Sequence, residues 1–424
     1  MRQVMYKGLI NVPVGLVKTI GSLTFFLFPA ILVLLGKKDL SAVLLVLYGS
    51  VTVCASIGVG WLEQSYMRFQ DRSELLKHLV FIILSAILSI IIFVTINRIY
   101  IGLLGYFAVV LYITGEFQQR ILAVDFLIRG KKYEHNLLIT TRCVIESVIL
   151  IFCLIPGFEP ITYLTIFLTA FSISRIFSFR YLLNMISCRK LITWPGVEYL
   201  FKSNMVSYGI WITLMVSTIQ LFINYMQNTF VANSSGSISS LISFSRYSFL
   251  AVSLPYGILL VAFTPQIFRQ VKDTCGFDLD LEILNKKYLT QPIPIVLLVI
   301  VGLFVVNHLY FKLLNEDVFL LVFASISWSL ALMSIKPAEI AERSIDLFII
   351  SLLSCIITYY MYKYLIKSEY LGLLFSLTNC YVIFYFLQAA YQILVKYTRI
   401  AFINLLISSF ILIVTCLGFL TYRR

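Results

Sequence analysis

The sequence predicts an all-α polytopic membrane protein, with about 12–13 transmembrane helices in two six-helix pseudo-repeat halves around a central cavity. Composition is the first observation behind this fold class. The 424 residues are 60% hydrophobic and 12% charged, whereas soluble domains are about 45–50% apolar and about 25% charged. The second observation is that apolar runs of about 20 residues, long enough to cross the hydrocarbon core as a helix, recur from end to end.

Thirteen apolar runs are long enough to be spans. The sequence leaves open whether the last run is a true span, and so whether the protein has twelve or thirteen transmembrane helices. The first run lacks a short apolar core followed by a small-residue cleavage site, so we interpret it as an uncleaved anchor. The predicted spans are residues 10–36, 41–65, 79–97, 101–123, 137–156, 161–184, 204–226, 238–268, 289–311, 318–335, 345–366, 371–394 and 400–420.

The spans divide into two halves. We expect residues 1–187 to form an N-terminal six-helix half and residues 204–394 a C-terminal one, with residues 395–424 as a possible extra terminal helix. Residues 188–203 contain "TWPGVEYLFK". We interpret them as a cytoplasmic interfacial linker, because Pro195 suits a first helical turn and the aromatic residues suit the headgroup layer.

A weak internal repeat supports this division. Segments Leu40–Asp71 and Ser237–Asp273 both begin at a polar turn with small residues, and both end in glutamine, arginine and aspartate in that order. Each contains the second helix of its half. Transporters are often built from such repeats, with the substrate path between them.

Basic residues lie mainly on one predicted side of the membrane. With the N-terminus in the cytoplasm, 21 of the 33 lysines and arginines fall in cytoplasmic segments and 8 in outer ones. This bias predicts a cytoplasmic N-terminus. Attraction of basic loops to anionic lipid also accounts for most of the net charge of +13 without nucleic acid.

The other four basic residues lie inside predicted spans. Ionisable groups there usually face the protein interior, pair with one another, or line an aqueous path. Acidic partners are not evident for three of the four, so we predict that the group binds an anionic substrate; snorkelling to the interface is the alternative. The predicted substrate-binding residues are Lys18, Arg142, Arg175 and Arg246.

Acidic residues in the spans predict a second group. Glu116 and Arg120 are four residues apart, as are Arg142 and Glu146, so each pair shares a helix face. Such pairs either neutralise charge between packed helices or take up a coupling ion, and residue spacing leaves both open. The predicted ion-coupling or pairing residues are Glu63, Glu116, Arg120 and Glu146.

The stretch "GEFQQRILAVDFLIRGKK", from Gly115 to Lys132, raises the question of where its helix ends. If the helix continues, Gln119 lies on the same face as the Glu116–Arg120 pair. Asp125 then lies on the opposite side, where we expect it to be solvated at the cytoplasmic edge. In the seventh span, Gln220 and Asn224 are also four residues apart.

Cysteine and histidine usage predicts no metal site and no cofactor. The eight cysteines are scattered without a CxxC motif, and the three histidines are far apart. Neither a disulfide framework nor a zinc site is indicated.

Two stretches carry a resemblance to a known family. The first helix pair reads "FFLFPAILVLLGKKDLSAVLLVLYGSVTVCASIGVGWLEQSYMRF", with a short outer turn and a second helix rich in small residues. The middle reads "LFKSNMVSYGIWITLMVSTIQLFINYMQNTFVANSSGSISSLISFSRYSF", in which a glycine-containing helix leads to an outer turn and another helix. The sequence resembles polysaccharide flippases of the Wzx type, which handle O-antigen units, in the multidrug/oligosaccharidyl-lipid/polysaccharide exporter superfamily.

The resemblance implies a transporter and not an enzyme. It implies flipping of undecaprenyl-pyrophosphate-linked oligosaccharide units from the cytoplasmic to the outer leaflet of a bacterial inner membrane, by ion-coupled alternating access, in O-antigen or capsular polysaccharide synthesis. The implied partners are this glycan lipid, membrane lipid and other polysaccharide assembly proteins. The chain departs from the family at Ile210, where many members have proline, and at Gln227 and Asn228, where many have aspartate or arginine.

Two other functions stay open. An O-antigen polymerase-type enzyme would need a large outer loop with arginines or a histidine, and none is predicted. A small-molecule or drug antiporter would favour acidic residues around a cationic drug, whereas basic residues outnumber acidic ones in the predicted spans.

Overall fold

The structure is a computed structural model of the chain. It describes residues 29–70, 82–97, 101–152, scattered positions between 162 and 173, and residues 204–231, 236–274, 292–335, 343–365, 368–395 and 399–421. These residues form α-helices and one π-helical turn, with no strand among them. The predicted all-α class is therefore confirmed.

The helices follow the apolar runs, because a backbone in hydrocarbon must satisfy its own hydrogen bonds. They are α1 (Lys38–Phe69), α2 (Ile82–Ile96), α3 (Gly102–Ile128), α4 (Lys132–Phe152), α5 (Asn204–Val231), α6 (Gly236–Thr274), α7 (Ile293–Val306) with the π-turn Asn307–Phe311, α8 (Asn315–Ser334), α9 (Ser344–Leu365), α10 (Glu369–Leu394) and α11 (Arg399–Thr421).

Among the described residues, seven helices are long and apolar enough to cross a membrane, and α2 is a shorter apolar helix. Most predicted spans agree with these helices to within a few residues. Helix α3 runs unbroken through Gly115 and ends at Ile128, beyond the predicted end at residue 123. The predicted linker 188–203, and most of spans 10–36 and 161–184, lie outside the described residues.

Helix α1 is the centre of the architecture. It packs most extensively against α5, and it also contacts α6 on one side and α2 and α3 on the other. The buried apolar residues form two clusters, and α1 contributes to both: Val46 belongs to the cluster built on α5–α11, and Val51 to the cluster built on α2 and α3. The contact between the two predicted halves is therefore made largely along α1.

Small residues bring α1 and α5 close together. A Cβ atom at Gly209 of α5 would overlap the Trp61 carbonyl oxygen and the Ser65 hydroxyl of α1. A Cβ at Gly60 of α1 would lie 3.2 Å from the Thr213 hydroxyl of α5. Small side chains are the usual means of close helix approach in membranes, where burial of apolar surface does not drive helices together. We call this contact the α1–α5 seam.

Polar side chains tie α10 to its neighbours at both ends. At its start, Tyr370 donates to Asp317 of α8 at 2.5 Å. Near its end, Tyr391 donates to Asp346 of α9, and Gln388 donates to the Ser334 hydroxyl of α8 at 3.0 Å. These hydrogen bonds fix the wall of helices against which the candidate site is built.

We expect Gly209→Ala to lower the free energy of unfolding by about 1–3 kcal/mol, because added atoms in a well-packed interior force helices apart. Thermal unfolding of the purified protein in detergent measures this change. Gly257→Ala in α6 is the matched control, since a Cβ there meets nothing within 4 Å. Equal stability of the two variants would contradict close packing at the seam.

Candidate functional site

A cavity lies between the helices that meet at α1. The space open to water is about 140 Å³, and the walls come from α1, α5, α6, α8 and α10. Its described lining joins α1, the helix that contacts both core clusters, to helices of the C-terminal half. The polar or aromatic residues among those that line it are Tyr48, Thr52, Gln220, Asn224, Gln227, Ser245, Arg246, Phe249, Ser325 and Tyr381.

Arg246 of α6 provides the positive charge of this cavity. Its Nη2 donates to the side-chain oxygens of Asn224 and Gln227, both from α5. Its Nε is buried and has no hydrogen-bond partner. Among the described residues, no carboxylate forms an ion pair with Arg246. A guanidinium held by neutral amides keeps its full charge, and it retains donors that an anion can use.

The two amides are placed by the helical repeat of α5. Gln220, Asn224 and Gln227 follow one another at spacings of four and three, so they share one face. The Asn224 amide nitrogen donates to the backbone carbonyl of Gln220 at 2.7 Å, which turns its oxygen toward Arg246. The Gln227 nitrogen donates to the Ser245 hydroxyl at 3.4 Å.

Gly49 of α1 makes room for this arrangement. A Cβ atom there would lie 2.7 Å from both Arg246 Nη2 and Asn224 Oδ1. At the next residue of α1, the Ser50 hydroxyl accepts a hydrogen bond from the Asn228 side-chain amide of α5 at 2.9 Å. The three helices α1, α5 and α6 therefore meet at a polar contact beside the cavity.

Two of the aromatic rings that line the cavity, Phe249 and Tyr381, pack together. Phe249 of α6 and Tyr381 of α10 are stacked with centroids 5.5 Å apart, and Trp328 of α8 lies 5.2 Å from the Tyr381 ring. Tyr381 also lies within electrostatic range of Arg246. The cavity thus combines one cation with amides, hydroxyls and aromatic faces.

A second polar cluster lies in the N-terminal half. Arg120 Nε is 2.8 Å from Glu116 Oε1 on the same helix, and Arg120 Nη1 is 3.7 Å from Glu63 Oε2 of α1. These contacts confirm that Glu116 and Arg120 form a pair. They also add Glu63, from a helix that is distant in sequence.

Arg142 and Glu146 of α4 extend the same cluster. Arg142 Nε lies 3.0 Å from Glu146 Oε1, with side-chain exposures of 14% and 0%. Arg142 Nη1 also donates to Gln119 of α3 at 3.2 Å. We call Glu63, Glu116, Gln119, Arg120, Arg142 and Glu146 the N-half cluster.

Two tyrosines connect this cluster to the cavity. Tyr48 lines the cavity, and its hydroxyl lies 3.4 Å from that of Tyr112 on α3. Tyr48 is within electrostatic range of both Glu116 and Arg142. Arg246 and the N-half cluster are thus on either side of a tyrosine pair.

The structure places the predicted residues in different settings. Arg246 lines the cavity, whereas Arg142 is paired with Glu146. Lys18 and Arg175 lie outside the described residues. The expectation that Asp125 is solvated is wrong: its side chain is 2% exposed and accepts a hydrogen bond from Tyr66 of α1 at 2.6 Å.

Some residues of the site were not predicted from the sequence. Tyr48, Tyr112 and Tyr381 come from helices whose tyrosines look like ordinary membrane packing. Gly49 is one of several small residues on α1. Gln227 could have been predicted, because Gln220, Asn224 and Gln227 are spaced by four and three residues and therefore share one face of α5. The described residues include no group of three histidine, cysteine or acidic side chains placed to hold a metal ion.

A larger apolar space lies on the other side of the seam. Its volume is about 580 Å³, and α1, α2 and α5 form its walls. Leu84 and Leu88 at its edge are exposed on the helix surface. This space carries no ionisable side chain among its described lining residues. It is therefore a lipid-facing cleft and not part of the charged site.

Comparison with known proteins supports the fold. No protein-family model matches the chain, and no curated protein matches it in sequence. A crystal structure of a MATE mutant is similar, with a TM-score of 0.55 at 13% identity, covering 96% of both chains. The chain thus has a MATE-like, all-helical transporter fold.

We expect Glu146→Gln to lower the free energy of unfolding by about 3–5 kcal/mol, because a buried guanidinium loses its carboxylate. The double variant Arg142→Met/Glu146→Gln should recover part of this loss. Thermal unfolding in detergent measures both. Glu134→Gln is the control, since its partner Lys131 is 40% exposed, and exposed pairs contribute about 0–1 kcal/mol. A loss no larger than that of the control would argue against a buried pair.

Proposed function

We propose that this protein is a flippase for lipid-linked oligosaccharides, and that the diphosphate of the lipid headgroup binds at Arg246. The observation that carries this proposal is the guanidinium of Arg246, which lines the cavity between α1 and the helices of the C-terminal half and has no carboxylate partner among the described residues. Burying an uncompensated charge is costly. A charge retained at such a place in a transporter is well explained by an anionic substrate.

The chemistry of arginine suits a phosphate group. Its planar guanidinium presents donors that match two phosphate oxygens at once, and it stays charged at any physiological pH. Arg246 has an unused Nε donor beside the Nη2 group that the amides occupy. Nε and Nη2 form one edge of the guanidinium, and this edge is the part we assign to the phosphate.

The neutral groups of the cavity suit a sugar. Gln220 and the hydroxyls of Ser245 and Ser325 offer hydrogen bonds, and Tyr381 offers an aromatic ring. A glycan attached to the bound diphosphate would meet these groups. The lipid chain would remain in the surrounding membrane, so the cavity needs to hold the headgroup alone.

The cellular setting follows from the sequence. The positive-inside bias supports a cytoplasmic N-terminus in a bacterial inner membrane, and the resemblance to Wzx-type proteins supports an undecaprenyl-pyrophosphate carrier in O-antigen or capsular polysaccharide synthesis. We infer transport by alternating access, because the halves meet along α1 and can tilt about this seam.

A drug antiporter has the same fold. A cationic drug would meet the Arg246 charge in this cavity, with no described carboxylate beside it to offset the repulsion. This observation favours the flippase.

We expect Arg246→Ala to reduce surface polysaccharide by about tenfold or more, since removing one charge-assisted contact to a substrate costs about 1.5–3 kcal/mol. Arg246→Lys should retain part of the activity as a point charge. The measurement is complementation of a host strain that lacks its own flippase, at equal protein level. Thr229→Ala, on α5 but outside the described cavity lining, is the control and should give normal polysaccharide. Normal polysaccharide with Arg246→Ala would remove the anionic-headgroup proposal.

We further propose that the N-half cluster couples transport to an ion gradient. Within the described cluster, Glu63, Glu116 and Glu146 face the two guanidiniums of Arg120 and Arg142. A proton or sodium ion would balance this excess of carboxylates. A change of charge there would reach the cavity through Tyr48 and Tyr112.

If this proposal holds, Glu116→Gln should make transport independent of an imposed pH or sodium gradient while headgroup binding persists. Transport into proteoliposomes with and without each gradient measures this effect. Glu134→Gln, outside the cluster, is the control and should keep the wild-type dependence. An unchanged gradient dependence in Glu116→Gln would assign the cluster to packing alone.

A further inference from the structure

The contact that holds Arg246 in place also closes one end of the α1–α5 seam. We propose that the anionic headgroup displaces the amides of Asn224 and Gln227 from Arg246, and that this exchange releases α5 from α1 at the end of the seam next to the α5–α6 turn. The inference rests on the proposed function of Arg246. It gives Asn224, Gln227 and Asn228 of α5 a role in opening the seam that the fold alone does not require.

The first step is a competition for the same donor. Both amide oxygens accept from Arg246 Nη2. A phosphate that binds the Nε–Nη2 edge needs this nitrogen. Amide oxygens are neutral acceptors, whereas a phosphate carries negative charge and can accept from two guanidinium donors at once. The amides therefore hold Arg246 until a phosphate arrives, and then give way to it.

The second step is mechanical. Arg246 Nη2 and Asn224 Oδ1 both lie against the bare Cα of Gly49 on α1, where a Cβ would be 2.7 Å from each. The Arg246–Asn224 contact thus fills the space between α1, α5 and α6. When the guanidinium turns to a phosphate in the cavity, this three-helix contact is lost.

The third step concerns what then remains at this end. The Asn228 side chain donates to Ser50 of α1 at 2.9 Å and to the backbone carbonyl of Asn224 at 3.0 Å. Its Oδ1 is buried without a hydrogen-bond partner. Among the described residues, the hydrogen bond from Asn228 to Ser50 is then the polar contact left between α5 and α1 beside Gly49. One under-satisfied amide is a weak link, because hydrogen bonds between membrane helices contribute only about 0.6 kcal/mol on average.

The other end of the seam is built differently. There Gly209 packs directly against the backbone of Trp61, and Arg68 of α1 lies over the Tyr208 ring of α5, 5.0 Å from its centroid. Arg246 takes part in neither of these two contacts. Headgroup binding at Arg246 therefore acts on one end of the seam only. With the cytoplasmic N-terminus that the positive-inside bias predicts, the Arg246 end of the seam lies on the outer side of the membrane. The exchange would therefore favour opening toward the outer leaflet.

The first experiment measures binding of undecaprenyl diphosphate to the full-length protein in nanodiscs. Asn224→Ala/Gln227→Ala should bind about tenfold more tightly than wild type, because the competing acceptors are gone. A merely structural role for these amides predicts weaker binding. Thr229→Ala is the control, since Thr229 lies on the same helix, donates to the Tyr225 backbone carbonyl and does not line the cavity; its affinity should equal that of wild type.

The second experiment measures opening. In a variant whose eight native cysteines are replaced, Val53→Cys places a thiol on the cavity wall, and an impermeant maleimide is added from outside to right-side-out vesicles. Undecaprenyl diphosphate should raise the labelling rate by about tenfold, as expected when a closed state becomes the minor one. Asn228→Ala should give fast labelling without the lipid. Arg246→Ala should show no response to the lipid.

The outcomes separate this inference from the proposed function. Undiminished binding by Arg246→Ala would overturn both. Loss of binding in Arg246→Ala, with weaker or unchanged binding in Asn224→Ala/Gln227→Ala, would overturn the exchange and leave the headgroup site intact. Tighter binding in that double variant with no change in Val53→Cys labelling would overturn the release of α5.

Discussion

The charge of Arg246, held among neutral groups, is the constraint on which the rest of the site depends. A guanidinium inside a helical membrane protein must be solvated by something. Here α5 supplies two amide oxygens, α1 supplies a glycine that leaves room for them, and a cavity of about 140 Å³ lies alongside. A carboxylate would hold the arginine more firmly, but it would also cancel the charge. The amides keep the arginine in place and leave it available.

The two halves treat their charges in opposite ways. In the N-half cluster, Arg120 and Arg142 each have a glutamate within 3.0 Å, so charge is neutralised locally. In the other half, the partners of Arg246 among the described residues are the amides of Asn224 and Gln227. The tyrosine pair Tyr48 and Tyr112 lies between the two environments. Hydrogen-bonded hydroxyl groups polarise one another in a low-dielectric interior, so a change of charge on one side can affect the other. A ligand in the cavity therefore contacts a cation without a described carboxylate partner on one side and lies near an ion-pair network rich in carboxylates on the other.

The sequence was informative wherever one helix determines the answer. Apolar run length predicted the helices, and spacing of four predicted the Glu116–Arg120 and Arg142–Glu146 pairs. Neither run length nor spacing could predict contacts between helices that are distant in the chain. Asp125 is the clearest failure: its own helix suggested a solvated edge, yet Tyr66 of α1 covers it. The pairing of Arg246 with amides of α5, and the reason that position 49 is a glycine, likewise depend on how three helices meet.

Fold likeness alone does not separate a flippase from a drug antiporter, because both are built from the same paired halves. What distinguishes them is the sign of the charge that a substrate meets in the cavity. A cationic drug needs a carboxylate or aromatic faces there, and a diphosphate needs a guanidinium. In the described residues, Glu63, Glu116 and Glu146 lie with arginines in the N-half cluster, and Arg246 lines the cavity. The same helices could serve the other function if position 246 were neutral and a carboxylate of the cluster faced the cavity, so the assignment depends on where the charge lies and not on the fold.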